Sequence, residues 1–119
     1  MSADAGDFIY VLRGQRQIFI TVTGRRTGRG IALPVWFVQL GRMLYLLPVK
    51  GSRTQWLRNL LADPSINIRC RGQCLSAQVR ISQDPQEVQQ VADRFRAKYR
   101  ADQVAQYYSN IDACVEVPL

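Results

Sequence analysis

Two short basic loops carry most of the chemistry that this sequence can offer: Thr23-Gly24-Arg25-Arg26-Thr27-Gly28 and Val49-Lys50-Gly51-Ser52. Each follows a segment that reads as a strand, and each joins glycine to cationic and hydroxyl side chains. Backbone N–H groups left open by glycine, a positive charge and a hydroxyl donor are together what a phosphate or a carboxylate requires. Neither loop has the spacing of a P-loop or of a dinucleotide fingerprint, so the pattern by itself fits either a bound anion or a plain solvated turn.

Other chemistries are narrowed by what the chain lacks. It contains no histidine, which removes Ser-His-Asp and Cys-His catalysis together with the commonest general base. Its three cysteines, Cys70, Cys74 and Cys114, suggest neither a disulfide framework nor a common zinc constellation. Free thiols in a reducing compartment, and no metal, are the expectation. Any reaction then needs a cofactor, or Tyr, Ser, Lys, Asp or Glu. The net charge of +7 is unevenly spread: residues 8–83 hold twelve basic groups and one acid, Asp63, whereas residues 84–119 hold four basic and six acidic groups. Such a field attracts an anionic partner, whether nucleic acid, a lipid surface or a phosphate-bearing cofactor.

The elements that must position these loops follow from periodicity. A chain of 119 residues with 47 % hydrophobic content suits one domain over residues 1–119, with the polar Met1 to Asp7 expected to be disordered. There is no apolar run of membrane-spanning length and no readable signal peptide, so a soluble, cytoplasmic protein is expected. Asp7 to Gly14 fits a short helix or an extra strand. Gln17 to Thr23 alternates as a strand, and Ile31 to Leu40 reads as a second strand with two apolar faces, buried on both sides. Pro34 marks an edge, a bulge or a ligand approach on it. Leu40-Gly41-Arg42 has the chemistry of a tight hairpin turn into a third strand from Met43. Trp56, Leu57, Leu60 and Leu61 recur at helical spacing within Arg53 to Ala62, which Asp63-Pro64 ends. Ser65 to Arg71 and Gln73 to Ile81 form a hairpin about Gly72. Asp84-Pro85-Gln86-Glu87 is a specific helix start, with Val88, Val91, Ala92, Phe95 and Tyr99 following at helical spacing and a break near Arg100. Ala113 to Leu119 closes as a strand. The order βββ-α-ββ-α-β predicts a mainly β fold with flanking helices, a small barrel of about six strands.

In order, Ile20-Thr-Val-Thr-Gly-Arg-Arg-Thr-Gly28, Pro34-Val-Trp36, Lys50-Gly-Ser52 and Trp56-Leu-Arg-Asn-Leu-Leu-Ala-Asp-Pro64 resemble the deazaflavin-dependent nitroreductase family over residues 17–82. The resemblance implies a split β-barrel of the FMN-binding type that holds the deazaflavin coenzyme F-420 or, in relatives, FMN. Arg25, Arg26 and Thr27 of the first loop and Lys50 of the second would then meet the phosphate arm, Gly51 and Ser52 would shape its loop, and Asn59 would add a polar contact. Pro34 and Trp36 would lie near the ring, with Trp56 beneath the loop. Tyr107 and Tyr108 are the candidates on the substrate side, whereas the spacing of Tyr99 points to packing. The chain departs from the family pattern at Ile31, where a basic residue is common, and at Val49, where a serine is.

These residues support an oxidoreductase in which the cofactor carries hydride to a small organic acceptor. A cofactor-binding or storage protein without turnover is a second reading, motivated by Val49. A basic nucleic-acid-binding barrel is a third, but the strand aromatics fall among apolar neighbours and are not interleaved with Lys and Arg. Because the two apolar faces of Ile31 to Leu40 cannot both point into one small barrel, one is expected to be covered by the Asp84 helix or by a second copy, and the resemblance to flavin-binding split barrels implies a homodimer with the groove at its interface.

Overall fold

The computed structural model describes residues 5–119. Among the described residues eight strands form two antiparallel four-stranded sheets, with no closed barrel of six strands. The first sheet has the order β2-β1-β5-β6, from Gly30–Val35, Ile18–Thr23, Ser65–Cys70 and Gln73–Gln78. The second has the order β3-β4-β8-β7, from Val38–Leu40, Met43–Leu46, Cys114–Pro118 and Arg80–Ser82.

The expected second strand, Ile31 to Leu40, is therefore two strands in two sheets, as is Gln73 to Ile81. The chain turns the corner at Trp36-Phe37 and again at Val79, so the sheets are joined at two corners by strands that pass from one to the other. At the first corner the ladder is replaced by a side chain: the Tyr99 hydroxyl accepts the Phe37 N–H at 3.0 Å and lies 2.8 Å from the Phe37 carbonyl. At the second, the Val79 N–H donates to Pro64 O at 2.9 Å. The continuous apolar character of Ile31 to Leu40 reflects this change of sheet. The segment is not buried on both sides, since Ile31, Ala32 and Pro34 are exposed. Proline is tolerated because β2 is an edge strand.

Inward residues of both sheets, Ile18, Ile20, Val22, Leu44, Leu46, Ile66, Ile68, Val115 and Val117, pack with Phe8, Leu12, Leu57 and Leu60 in one core. Phe8 and Leu12 come from α1 (Ala5–Leu12), so Ala5 to Asp7 belong to a helix and not to a disordered tail; residues 1–4 lie outside the described residues. Leu57 and Leu60 come from α2 (Gln55–Ala62), which a 3-10 turn over Gly51–Arg53 precedes where helix from Arg53 was expected. A second core lies on the other side of the second sheet, where Val88, Val91, Phe95 and Tyr99 of α3 (Pro85–Tyr99) and Val104 of α4 (Ala101–Tyr107) cover Val38, Leu47 and Cys114. Asp84 caps α3 by accepting the Gln86 N–H at 3.2 Å, with Pro85 in the first turn. The α3–α4 break falls at Arg100, with φ 75°. Among the described residues no helix is long and apolar enough to cross a membrane.

Candidate functional site

Two open cavities, of about 400 and 290 Å³, share Leu33, Val49 and Trp56 and so form one groove along the exposed edge of β2. Its two ends differ in chemistry. One is aromatic, lined by Pro34, Trp36, Tyr107 and Tyr108; the other is cationic, lined by Lys50 and Arg53 with Thr54, Gln55 and Asn59.

At the aromatic end the strand corner sets the platform. Trp36 stacks on Tyr99 at 4.3 Å between centroids and 5° between planes, and Tyr107 meets it edge-on at 5.3 Å. Tyr99 is fully buried and pinned at its hydroxyl by Phe37 and by Arg16 O at 2.7 Å. Burial pushes its phenol up to about 12, against the opposite pull of the Phe37 bond and of Arg16. Burial, and then the nearby Tyr99, also raises Tyr108. Behind the corner, Lys98 Nζ donates to Phe37 O at 2.8 Å and lies 3.6 Å from the Phe37 ring centroid. Burial and then the neighbouring Arg16 bring it down to about 8.

The first basic loop closes on itself, with Gly24 N–H to Arg29 O and Gly28 N–H to Gly24 O, both at 2.8 Å. Thr27 accepts the Arg29 N–H at 3.2 Å. Arg25 turns inward: its N–H and its Nη1 donate to Asn59 Oδ1 at 3.1 and 2.8 Å, and Nη2 donates to Gln55 Oε1 at 2.9 Å. Asn59 is buried, so Arg25 satisfies an acceptor that helix α2 would otherwise leave bare. Arg26 and Thr27 are exposed and do not line the groove.

The second loop also differs from the expected phosphate cradle. The N–H groups from Lys50 to Arg53 are used within the protein: Lys50 to Thr54 Oγ1 at 2.9 Å, Gly51 to Pro48 O at 3.1 Å, Ser52 to Asp112 Oδ1 at 2.7 Å and Arg53 to Lys50 O at 3.3 Å. The Ser52 hydroxyl donates to Asp112 Oδ2 at 2.8 Å. Burial works against the charge of Asp112, yet the hydrogen bonds from Ser52 and Asn110 hold its carboxyl below the ordinary range. Gly51 and Ser52 therefore face away from the groove, and its cationic end consists of side chains alone.

The structure thus brings Pro34, Trp36, Lys50, Trp56, Asn59, Tyr107 and Tyr108 to one groove, places Arg25 behind it, and leaves Arg26, Thr27, Gly51 and Ser52 outside its lining. Sequence reasoning missed Arg53, Thr54 and Asp112. Arg53 carried a signal, since it stands three residues after Lys50 and one turn before Trp56, but it was absorbed into the helix. Asp112 carried none, being sixty residues from its partner Ser52.

The sequence profile of F420H(2)-dependent quinone reductases matches residues 1–118. The chain belongs to that family. Several solved structures share its fold at low identity. An F420-H2-dependent reductase superposes with TM-score 0.67 at 15 % identity over 87 % of this chain and 94 % of its own. A conserved hypothetical protein from Mycobacterium tuberculosis gives 0.74 at 14 % identity over 100 and 81 %. A protein solved as a domain-swapped dimer gives 0.68 at 16 % identity over 87 and 80 %. No curated protein matches the sequence significantly. Family membership makes this member an F420-dependent oxidoreductase.

Proposed function

We propose that the groove binds coenzyme F-420 with its ring at the Trp36 end and its anionic arm at Lys50 and Arg53, and that the loaded protein reduces a small organic acceptor such as a quinone. The observation that carries this reading is the pairing of an aromatic end and a cationic end in one groove. A flat aromatic ring system carrying an anionic arm needs both. When bound, the reduced cofactor supplies a hydride, and reduction of a quinone also takes up a proton.

The protein's own part is to bind and orient. Trp36, held by Tyr99, offers an apolar face, and Leu33, Val49 and Trp56 exclude water along the middle of the groove. Lys50 and Arg53 neutralise the arm. Tyr107 and Tyr108 line the aromatic end, where a phenol hydroxyl is the available donor to an acceptor oxygen. Val49 and Ile31 in place of polar and basic residues make the groove wall apolar, which suits a lipophilic acceptor. A split-barrel homodimer is part of the same reading. Its support is the exposed edge of β2 with Ile31, 44 % exposed, beside Phe19 of β1, 49 % exposed, and the domain-swapped relative.

Titration with coenzyme F-420 and with FMN tests the assignment. Both tryptophans line the groove, so quenching of their fluorescence by F-420 with a tighter constant than for FMN is the expected result. No quenching by either would remove the reading. Sedimentation as a monomer at micromolar concentration would remove the dimer.

A further inference from the structure

Loop 49–53 and the segment after α4 run side by side, and the Asp112 carboxylate is one of the groups that fasten them. We propose that Asp112 is a positioning residue of the groove: it holds the Lys50 loop against the segment that carries Tyr107 and Tyr108, so that the cationic and aromatic ends keep one spacing. This inference rests on the proposed function of the groove.

Asp112 does not line the groove itself. It takes both donors of Ser52, at 2.7 and 2.8 Å, while Ser109 N–H donates to Val49 O at 2.9 Å and Lys50 forms a parallel bridge with Asn110. These contacts carry the pairing of the two stretches past the last β4–β8 ladder pair, Leu46–Val115. The fit is close enough to demand glycine: Gly51 has φ 58°, and a Cβ there would collide with the Asp112 carboxylate and come within 2.8 Å of Asn110 Nδ2. Asp112 thus takes, as an internal anion, both Ser52 donors, and the N–H groups of Lys50, Gly51 and Arg53 are spent on Thr54, Pro48 and Lys50. What remains for a ligand is the pair of long cationic side chains, Lys50 and Arg53, and these are useful only from a fixed base. A loop free to move would lose conformational freedom on every binding event, and that loss would come out of the affinity. A carboxylate whose charge is held by Ser52 and Asn110 removes that freedom before the ligand arrives.

Tryptophan quenching reads binding without turnover. Wild type, Asp112→Ala, Lys50→Ala and the double variant are titrated with coenzyme F-420 and with FMN. Asp112→Ala is expected to weaken binding about ten-fold, and the double variant to lose less than the two single losses combined, because Asp112 acts partly through Lys50 and partly through Arg53 of the same loop. Additive losses would overturn the proposal. Asp112→Asn, which keeps an acceptor for the Ser52 N–H, is expected to fall between wild type and Asp112→Ala. Amide exchange on the free protein separates failure of this proposal from failure of the cofactor reading. In Asp112→Ala the Ser52 and Ser109 amides should lose protection together while Ile20 and Ile68 keep theirs. Unchanged protection at Ser109 overturns the proposal whether or not any cofactor binds. If Asp112→Ala loses protection everywhere, the same two amides and the same cycle are read in Asp112→Asn, where equal protection and full additivity would again overturn it.

Discussion

The two basic loops begin from nearly the same residue types, and the fold uses them in opposite ways. In loop 24–29 the arginine that matters points inward, where Arg25 closes on the buried Asn59 and on Gln55, and Arg26 is left in solvent. In loop 49–53 the serine points inward to Asp112, and the cations Lys50 and Arg53 are left for the groove. The difference arises from the acceptor that each loop finds behind it. A neutral amide oxygen on α2 draws in a cation, because Arg can bond it from both backbone and side chain. A carboxylate draws in hydroxyl and N–H donors and leaves no place for a ligand anion. Which side of a loop becomes binding surface is thus decided by its buried partner.

The comparison can be broken most sharply at Gly51. Gly51→Ala forces a side chain into the Asp112–Asn110 contact at a left-handed φ, so a loss of about 3 kcal/mol in urea unfolding is expected. A loss under about 0.5 kcal/mol would show a loop that rearranges freely. The matching change in the first loop is Asn59→Ala. It strands the Arg25 N–H and guanidinium beside a buried position, and about 2 kcal/mol should be lost in the same measurement. Stability equal to wild type would mean that water replaces the amide and that Arg25 is only a surface cation.

Ligand binding should divide the loops in the other direction. Lys50→Ala and Arg53→Ala are each expected to weaken binding of coenzyme F-420 by about ten-fold in calorimetry, with the fold unchanged. Arg53 is the more decisive variant, since only the groove lining assigns it. Acid sensitivity is a smaller mark of the second loop. The Asp112 carboxyl is held below its ordinary value of 3.8 by hydrogen bonds that outweigh burial. A depressed folded value gives stability that is complete above the unfolded value and is lost as the pH falls through the folded one. Urea unfolding between about pH 4 and pH 2 should therefore decline more steeply for wild type than for Asp112→Asn, and parallel curves would contradict the assignment. The smallest effect belongs to Arg26→Ala, expected to change F-420 affinity by less than about two-fold, from the diffuse field alone. A ten-fold loss there would move the anion site back to the first loop.

Much of the secondary structure was legible, because it depends on neighbours in sequence. Asp84-Pro85 announced α3, Gly41 the β3–β4 turn, and Trp56, Leu57 and Leu60 the face of α2 that reaches the core. The strand corners were not. Ile31 to Leu40 shows unbroken apolar character, and a strand that passes from one sheet to another has the same alternation as one that stays. Tyr99 makes the corner possible from 62 residues away, by taking the place of a ladder partner at Phe37. In the groove, Trp36, Lys50, Trp56 and Asn59 were found from local motifs, and Arg53 was hidden by a helix boundary that fell two residues early.

The sequence by itself determined the classes of residue available: no histidine for acid–base work, a basic first two-thirds, two glycine-bearing loops at strand ends, and membership of the F420H(2)-dependent quinone reductase family. Only the tertiary structure decided where their donors point. Asp112 and Asn59 turn Ser52 and Arg25 inward, and Tyr99 sets Trp36. Residue type fixes how many hydrogen bonds and charges a loop can offer, but their direction is set by whichever buried acceptor lies within about 3 Å, and that neighbour is brought there by packing from far along the chain.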